Sequence, residues 1–230
     1  MAVDARELDV DSLAGRPLIV YANHPGWWDP ILAVLLHVAI FPGRKFFAPI
    51  DADALEKYQV FRKLGFYGVG HTRSGAAAFL EVSRAILELP DAALWLTPEG
   101  GFTDPRDHTA SLMPGLGHLC VKQPAAAAVP LAIEYPFWNE RLPYMLMKLG
   151  ATVDLRMADG AMPSKSVALE TLTDGLRATQ ARLAEQVIAR SLEGFQVLLA
   201  SKAGPGNAYD LGRAAKSLLA GKRVELRHEP

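Results

Sequence analysis

The chain has 230 residues, 50% of them hydrophobic, with a formal net charge of -1 and one cysteine. That length fits one large domain whose core needs no disulfide or metal staples, and the near-balanced charge leaves no basic stripe of the kind that binds nucleic acid. The lone Cys120 excludes an intrachain disulfide and a multi-cysteine zinc site, and points to a reducing compartment.

The N-terminal residues Met-Ala-Val-Asp-Ala-Arg-Glu-Leu-Asp carry acidic charges and no leading apolar segment, which argues against a signal peptide. Residues 18–22 read as a buried strand, followed by a loop with Asn23, His24 and Gly26 and then a helical pattern over 30–41. The longest apolar run, 31–41, is interrupted by His37 and falls short of the roughly 20 residues that cross a bilayer. Further strands are expected at 45–49, 66–69, 92–97 and 128–134, with a weaker one at 151–156. Helical patterns at 52–64, 74–89 and 111–122 alternate with them. Asp51 and residues 72–74 supply N-caps, and Gly65 a helix stop. Pro130 predicts that its strand lies at an edge or begins there. The alternation predicts an α/β fold with helices flanking one sheet.

The stretch 142–149, with Phe137-Trp138 before it, reads as ordinary core with interfacial contact as the alternative. From 164 to 201, Leu169, Leu172, Leu176, Leu183, Val187 and Leu198 recur at helical spacings. They predict an amphipathic helix, interrupted near Gly194, that packs back on the sheet. Gly204-Pro205-Gly206 ends it, and a short basic helix with Arg213, Lys216, Lys222 and Arg223 follows. The expected organisation is one domain over 1–203 and a basic helical extension over 204–230 that packs on it or on a membrane.

Four blocks carry candidate chemistry. In the first, His24 precedes Asp29 by five residues at a strand end. An imidazole oriented by a carboxylate takes a proton from a hydroxyl near neutral pH. The competing reading makes Asp29-Pro30 a helix N-cap and first-turn proline, with His24 a plain loop residue. The second block, Gly70-His71-Thr72-Arg73, offers Arg73 as a clamp for phosphate or carboxylate, or as a surface residue beside an N-cap. In the third, Pro98-Glu99-Gly100-Gly101 follows an apolar strand, and its glycines let backbone N–H groups approach a substrate oxygen. The fourth is the apolar strand with Val129-Pro130. Trp27 and Trp28, inside the first block, are expected to divide their roles, one buried and one lining the site.

In this order the blocks resemble those of the glycerophospholipid acyltransferase family, which acts on lysophospholipids and glycerol phosphate. Its H-x4-D block matches at His24 and Asp29, its strand leading to an Arg at Arg73, its Pro-Glu-Gly at Pro98, Glu99 and Gly100, and its Val-Pro strand at Val129 and Pro130. The resemblance covers roughly residues 17 to 135 and implies a single mixed, mostly parallel sheet flanked by helices, with amphipathic helices C-terminal to it. It also implies acyl transfer from acyl-CoA or acyl carrier protein to a hydroxyl of a lysophospholipid or related lipid. His24 would be the general base and Asp29 its orienter. Arg73, Glu99, Gly100 and Gly101, together with Trp27 and Trp28, would contact substrate, and neighbouring backbone N–H groups could stabilise the oxyanion. No cofactor or metal is implied. The thioester is a co-substrate, the partners are the acyl donor, the lipid acceptor and a membrane surface, and the expected place is the cytoplasm or the inner face of the cell membrane.

Two departures bear on the acceptor. The family usually continues Pro-Glu-Gly with Thr-Arg, where this chain has Gly101-Phe102, and it often has an Asp near the second-block Arg, where this chain has His71 and Thr72. Arg106 or Arg73 would replace the missing cation for a phosphate-bearing acceptor; the alternative acceptors are a neutral glycolipid, a lyso-lipid with a different head or another lipid alcohol. Water as acceptor (a thioesterase) and a non-catalytic lipid-binding module are the further alternatives.

Overall fold

Residues 1–200 are described by the structure, a computed structural model. The strands are β1 (Ala2–Asp4), β2 (Leu18–Ala22), β3 (Lys45–Asp51), β4 (Phe66–Val69), β5 (Ala92–Leu96), β6 (Ala127–Glu134), β7 (Leu146–Leu149) and β8 (Gln196–Val197). They form one eight-stranded sheet in the order β4-β3-β5-β2-β6-β7-β1-β8. The first five in that order run parallel. β7 is antiparallel to β6, β1 parallel to β7, and β8 antiparallel to β1. The helices are α1 (Asp29–Ile40), α2 (Ala52–Lys57), α3 (Val60–Lys63), α4 (Arg73–Ile86), α5 (Gly115–Lys122) and α6 (Lys165–Ile188). The expected α/β class, with a mixed and mostly parallel sheet flanked by helices, is the one observed. The basic segment 204–230, with Arg213, Lys216, Lys222 and Arg223, lies outside the described residues.

β2 shows why its sequence is apolar throughout. Leu18 and Val20 pack in the cluster that includes Leu32 and Leu36 of α1, while Ile19 and Tyr21 pack with Leu116, Leu119 and Cys120 of α5 and Leu172 and Leu176 of α6. A strand covered on both faces has no polar side to show.

Several expectations are corrected. Pro130 lies inside β6, which pairs with β2 on one side and β7 on the other. It is tolerated because its side of the ladder stops there: β7 ends at Leu149 opposite Leu131, and the Pro130 carbonyl accepts from the Gly150 N–H at 3.0 Å. The reciprocal donor is missing, so 151–156 forms no strand and only an isolated bridge joins Ala128 to Val153. The helix expected over 52–64 breaks at Tyr58, whose ring packs on Trp27 and Phe61. The helix expected over 111–122 begins only at Gly115, after Pro114. The long C-terminal helix ends at Ile188, Arg190 turns the chain at φ 50°, and Leu198 packs on the core from beyond β8 rather than from a helix. Asp51 and Thr72 do cap α2 and α4, accepting from the N–H groups of Ala54 and Gly75. Gly65 ends α3 at φ 99°, where a Cβ would lie 2.1 Å from the Phe46 carbonyl oxygen.

Candidate active site

The functional side chains gather where β2, β5 and β6 end at the same edge of the parallel sheet, the position at which open α/β sheets build sites. Asn23 locks that edge. Its buried amide donates to the Ile133 carbonyl at 3.0 Å and accepts from the Ile133 N–H at 2.8 Å, extending the β2–β6 pairing by one side chain. The chain then leaves β2 with His24 held in a defined place.

His24 Nδ1 lies 2.6 Å from Asp29 Oδ2. The side chains are 20% and 4% exposed, so the carboxylate is enclosed while the ring reaches the surface. Asp29 is the first residue of α1 and not its N-cap; Trp28 takes that position and makes no side-chain cap bond. The carboxylate instead accepts from His24 Nδ1–H, from the Gly26 N–H at 3.2 Å, and on its other oxygen from the Tyr135 hydroxyl. The helix N-terminus adds a favourable partial positive charge. A carboxylate accepts, so the contact assigns the Nδ1–H as donor, and Nε2 has no partner among the described residues. Burial, and then the neighbouring Asp29 charge, pushes the Tyr135 phenol well above its ordinary range, so Tyr135 remains a donor.

Glu99 lies beneath the histidine. Its side chain is fully buried. Oε2 accepts from the His24 backbone N–H at 2.9 Å and from Thr103 Oγ1 at 2.5 Å, and Oε1 pairs with Arg177 of α6 at 2.8 Å. Arg177 is held in turn by Gln180 and the Ala110 carbonyl. Expected at the acceptor, Glu99 has both oxygens occupied by the protein, and it fixes the loop that carries His24.

Gly100 sits at φ 74°, where a Cβ would lie 2.9 Å from Met113 Sδ, and Gly101 is exposed with open space around it. Phe102, next in the chain, lays its exposed ring 4.6 Å from that of His24. Arg73 opens α4 at the same sheet edge, but β4 lies three strands from β2, a lateral offset of roughly 14 Å at about 4.8 Å per strand. It is exposed and makes no contact with the dyad. His71 pairs with Asp51 at 2.6 Å.

Both tryptophans are exposed, Trp27 by 63% and Trp28 by 55%, which corrects the expected division into one buried and one lining. Trp28, Ile31, Leu35 and Val38 form one exposed stripe along α1 at helical spacing, beside its buried Leu32 and Leu36. Trp27 extends the stripe to Tyr58 at 5.9 Å.

On the Tyr135 side of the dyad, Pro25, Asp104, Arg106, Glu134 and Tyr135 line a cavity of about 340 Å³. Tyr135, Arg177 and Glu134 are functional neighbours that the sequence reading passed over. Tyr135 and Glu134 stand at the end of an apolar strand, where a site is expected. Arg177 stands one residue past the buried Leu176 on α6, whose inward face also carries the polar Thr179 and Gln180.

No protein-family model and no curated protein matches the chain. Fold and geometry together define an α/β protein with a buttressed His–Asp pair at the carboxyl edge of a mixed, mostly parallel sheet. Among the described residues no helix is long and apolar enough to cross a membrane.

Proposed function

We propose that the chain is an O-acyltransferase that moves a fatty acyl group from acyl-CoA or acyl carrier protein to a hydroxyl of a lysophospholipid or related lipid. The observation that carries this reading is the 2.6 Å contact of His24 Nδ1 with an Asp29 carboxylate that also accepts from Gly26 and Tyr135. Such a pair leaves Nε2, which has no partner among the described residues, to take a proton from a bound hydroxyl. The acceptor O–H gives its proton to Nε2 while its oxygen bonds to the thioester carbonyl carbon. The tetrahedral species then collapses, the C–S bond breaks, and the imidazolium returns the proton to the departing thiolate. Asp29 stabilises the imidazolium and holds the ring's tautomer.

Phe102 gives the approach to His24 an apolar surface suited to an acyl chain, and the exposed Trp27 and Trp28 follow His24 in its own loop. The exposed stripe on α1 is larger than isolated apolar residues would make, and it supports a protein that rests on the inner face of the cell membrane from the cytoplasmic side.

The test is thiol release from acyl-CoA donors against a panel of lyso-lipids and lipid alcohols, with product lipids identified. His24→Ala is expected to lower the rate by about 10²–10⁴-fold, the usual contribution of a general base, while melting with the wild type. Release of free fatty acid alone would make water the acceptor, and no thiol release with any acceptor would reduce the chain to a binding module.

A further inference from the structure

We propose that the cavity beside the dyad binds the polar end of the acceptor, and that this end is an uncharged polyhydroxyl head such as a glycosyl group. The inference rests on the acyltransfer reading and, among the acceptors that reading allows, selects a related lipid without phosphate over a lysophospholipid. The cavity, about 340 Å³, shares Pro25 with the His24 loop and Tyr135 with the Asp29 carboxylate. A head seated in it therefore lies within one residue of the base.

The chemistry of its walls decides the class. Arg106 is half exposed and gives one Nη2–H to Glu134 Oε2 at 3.0 Å. Its remaining side-chain N–H groups have no partner among the described residues, and a guanidinium carries five. Glu134 is 6% exposed, and its Oε1 is buried without a hydrogen bond. Asp104 gives one oxygen to the Arg106 backbone N–H at 2.9 Å and adds a second carboxylate to the lining.

Two carboxylates face one guanidinium, so the cavity has no surplus positive charge for a phosphate, which is recognised by clusters of cations. It offers donors and acceptors side by side. A hydroxyl both donates and accepts, and a pair of vicinal hydroxyls answers both at once, taking an Arg106 N–H and donating to the exposed Asp104 carboxylate. The only other cation expected to read a head group, Arg73, is three strands away.

The experiment uses saturation-transfer NMR on the full chain with octyl β-glucoside below its micellar concentration, octyl phosphate and octanol as probes. The glucose ring protons are expected to be saturated in the wild type, to lose at least threefold in Arg106→Ala, and to be unchanged in Arg84→Ala, on α4. Both changes are on exposed residues, and melting curves confirm that they fold. In the thiol-release assay, kcat/KM for an alkyl glucoside is expected to exceed that for lysophosphatidic acid at least tenfold, and Arg106→Ala should erase the difference. Ring-proton saturation independent of Arg106, or a preference for octyl phosphate or lysophosphatidic acid, overturns the proposal. Arg106-dependent sugar binding with no thiol release from any acceptor sustains the pocket and overturns the acyltransfer reading instead. Thiol release without Arg106-dependent sugar contact does the reverse.

Discussion

Asp29 gives one carboxylate oxygen to His24 and the other to Tyr135. The histidine is therefore oriented by a carboxylate that is itself pinned from the end of the neighbouring strand, and in the acyltransfer reading Tyr135 acts on the base through Asp29. Tyr135→Phe should lower kcat by on the order of tenfold, as loss of a partner that orients a functional histidine's own ligand does, and leave the acyl-donor KM in place. Asp29→Asn should cost more, and adding Tyr135→Phe to it should cost little further, because the residues act as a unit. A double-mutant cycle on kcat checks this; effects that multiply independently would separate Tyr135 from the dyad.

The Glu99–Arg177 pair makes a different prediction. Removing one partner of a buried ion pair leaves the other uncompensated and costs about 3–5 kcal/mol. Glu99→Ala should therefore lower the melting temperature, and by freeing the His24 backbone it should lower kcat. The acceptor KM should hold, because Glu99 Oε1 and Oε2 are both spent within the protein. Steady-state kinetics beside thermal melts decide it, and a selective rise in the acceptor KM would place Glu99 against substrate.

Acid should unfold the far end of the sheet first. Burial raises the Asp4 carboxyl, but hydrogen bonds from Arg6, Lys148 and Gln186 outweigh it and hold the group well below the usual carboxylate range. A folded value depressed in this way contributes stability that is complete above about pH 4, the unfolded value, and is lost as pH falls below it. Asp4→Asn should be destabilised at neutral pH and show a flatter loss of stability in acid. Urea midpoints from about pH 7 down to about pH 2 measure both.

His37 titrates in a higher window. Its Nε2–H donates to the Arg44 carbonyl at 2.9 Å and its Nδ1 accepts from Trp95 Nε1–H at 3.3 Å, an arrangement only the neutral ring can make. Burial, chiefly, lowers its pKa. Stability from the neutral ring is therefore complete above about pH 6.5 and falls as pH drops through the folded value. His37→Gln should be less stable at neutral pH but insensitive to pH in that range. Urea unfolding followed by Trp95 fluorescence checks the contrast.

Legibility in the sequence follows the range of the contacts involved. β2 and β4 appear with their observed bounds because a short apolar run flanked by turn residues already encodes a strand, although only β2 is buried throughout and β4, at the sheet's edge, is not. β7 does not, since its four residues include Lys148, and a buried lysine makes sense only with its carboxylate partners Glu7 and Asp4, the latter 144 positions away. His24 and Asp29 were readable because five residues and a helix start bring them together locally. Glu99 was readable as a residue but not as a buttress, because Arg177 reaches it from 78 positions away on α6. Tyr135 was hidden for the same reason, 106 positions from Asp29.

The stripe on α1 gives the last prediction. An amphipathic helix at a sheet edge normally turns its apolar residues inward, and α1 does so with Leu32 and Leu36 while also showing Ile31, Leu35 and Val38 to solvent. In the peripheral-membrane reading these three enter the interfacial region of a bilayer and bring His24 to a lipid acceptor. Replacing all three with serine should weaken sedimentation with phospholipid vesicles, each change costing about 1–2 kcal/mol of partition. It should leave the melting temperature nearly unchanged, since exposed positions contribute little to folding. Activity should fall on an acceptor presented in vesicles and persist on a short-chain acceptor dissolved as monomers. Equal losses on both would show that the stripe serves the active site and not the membrane.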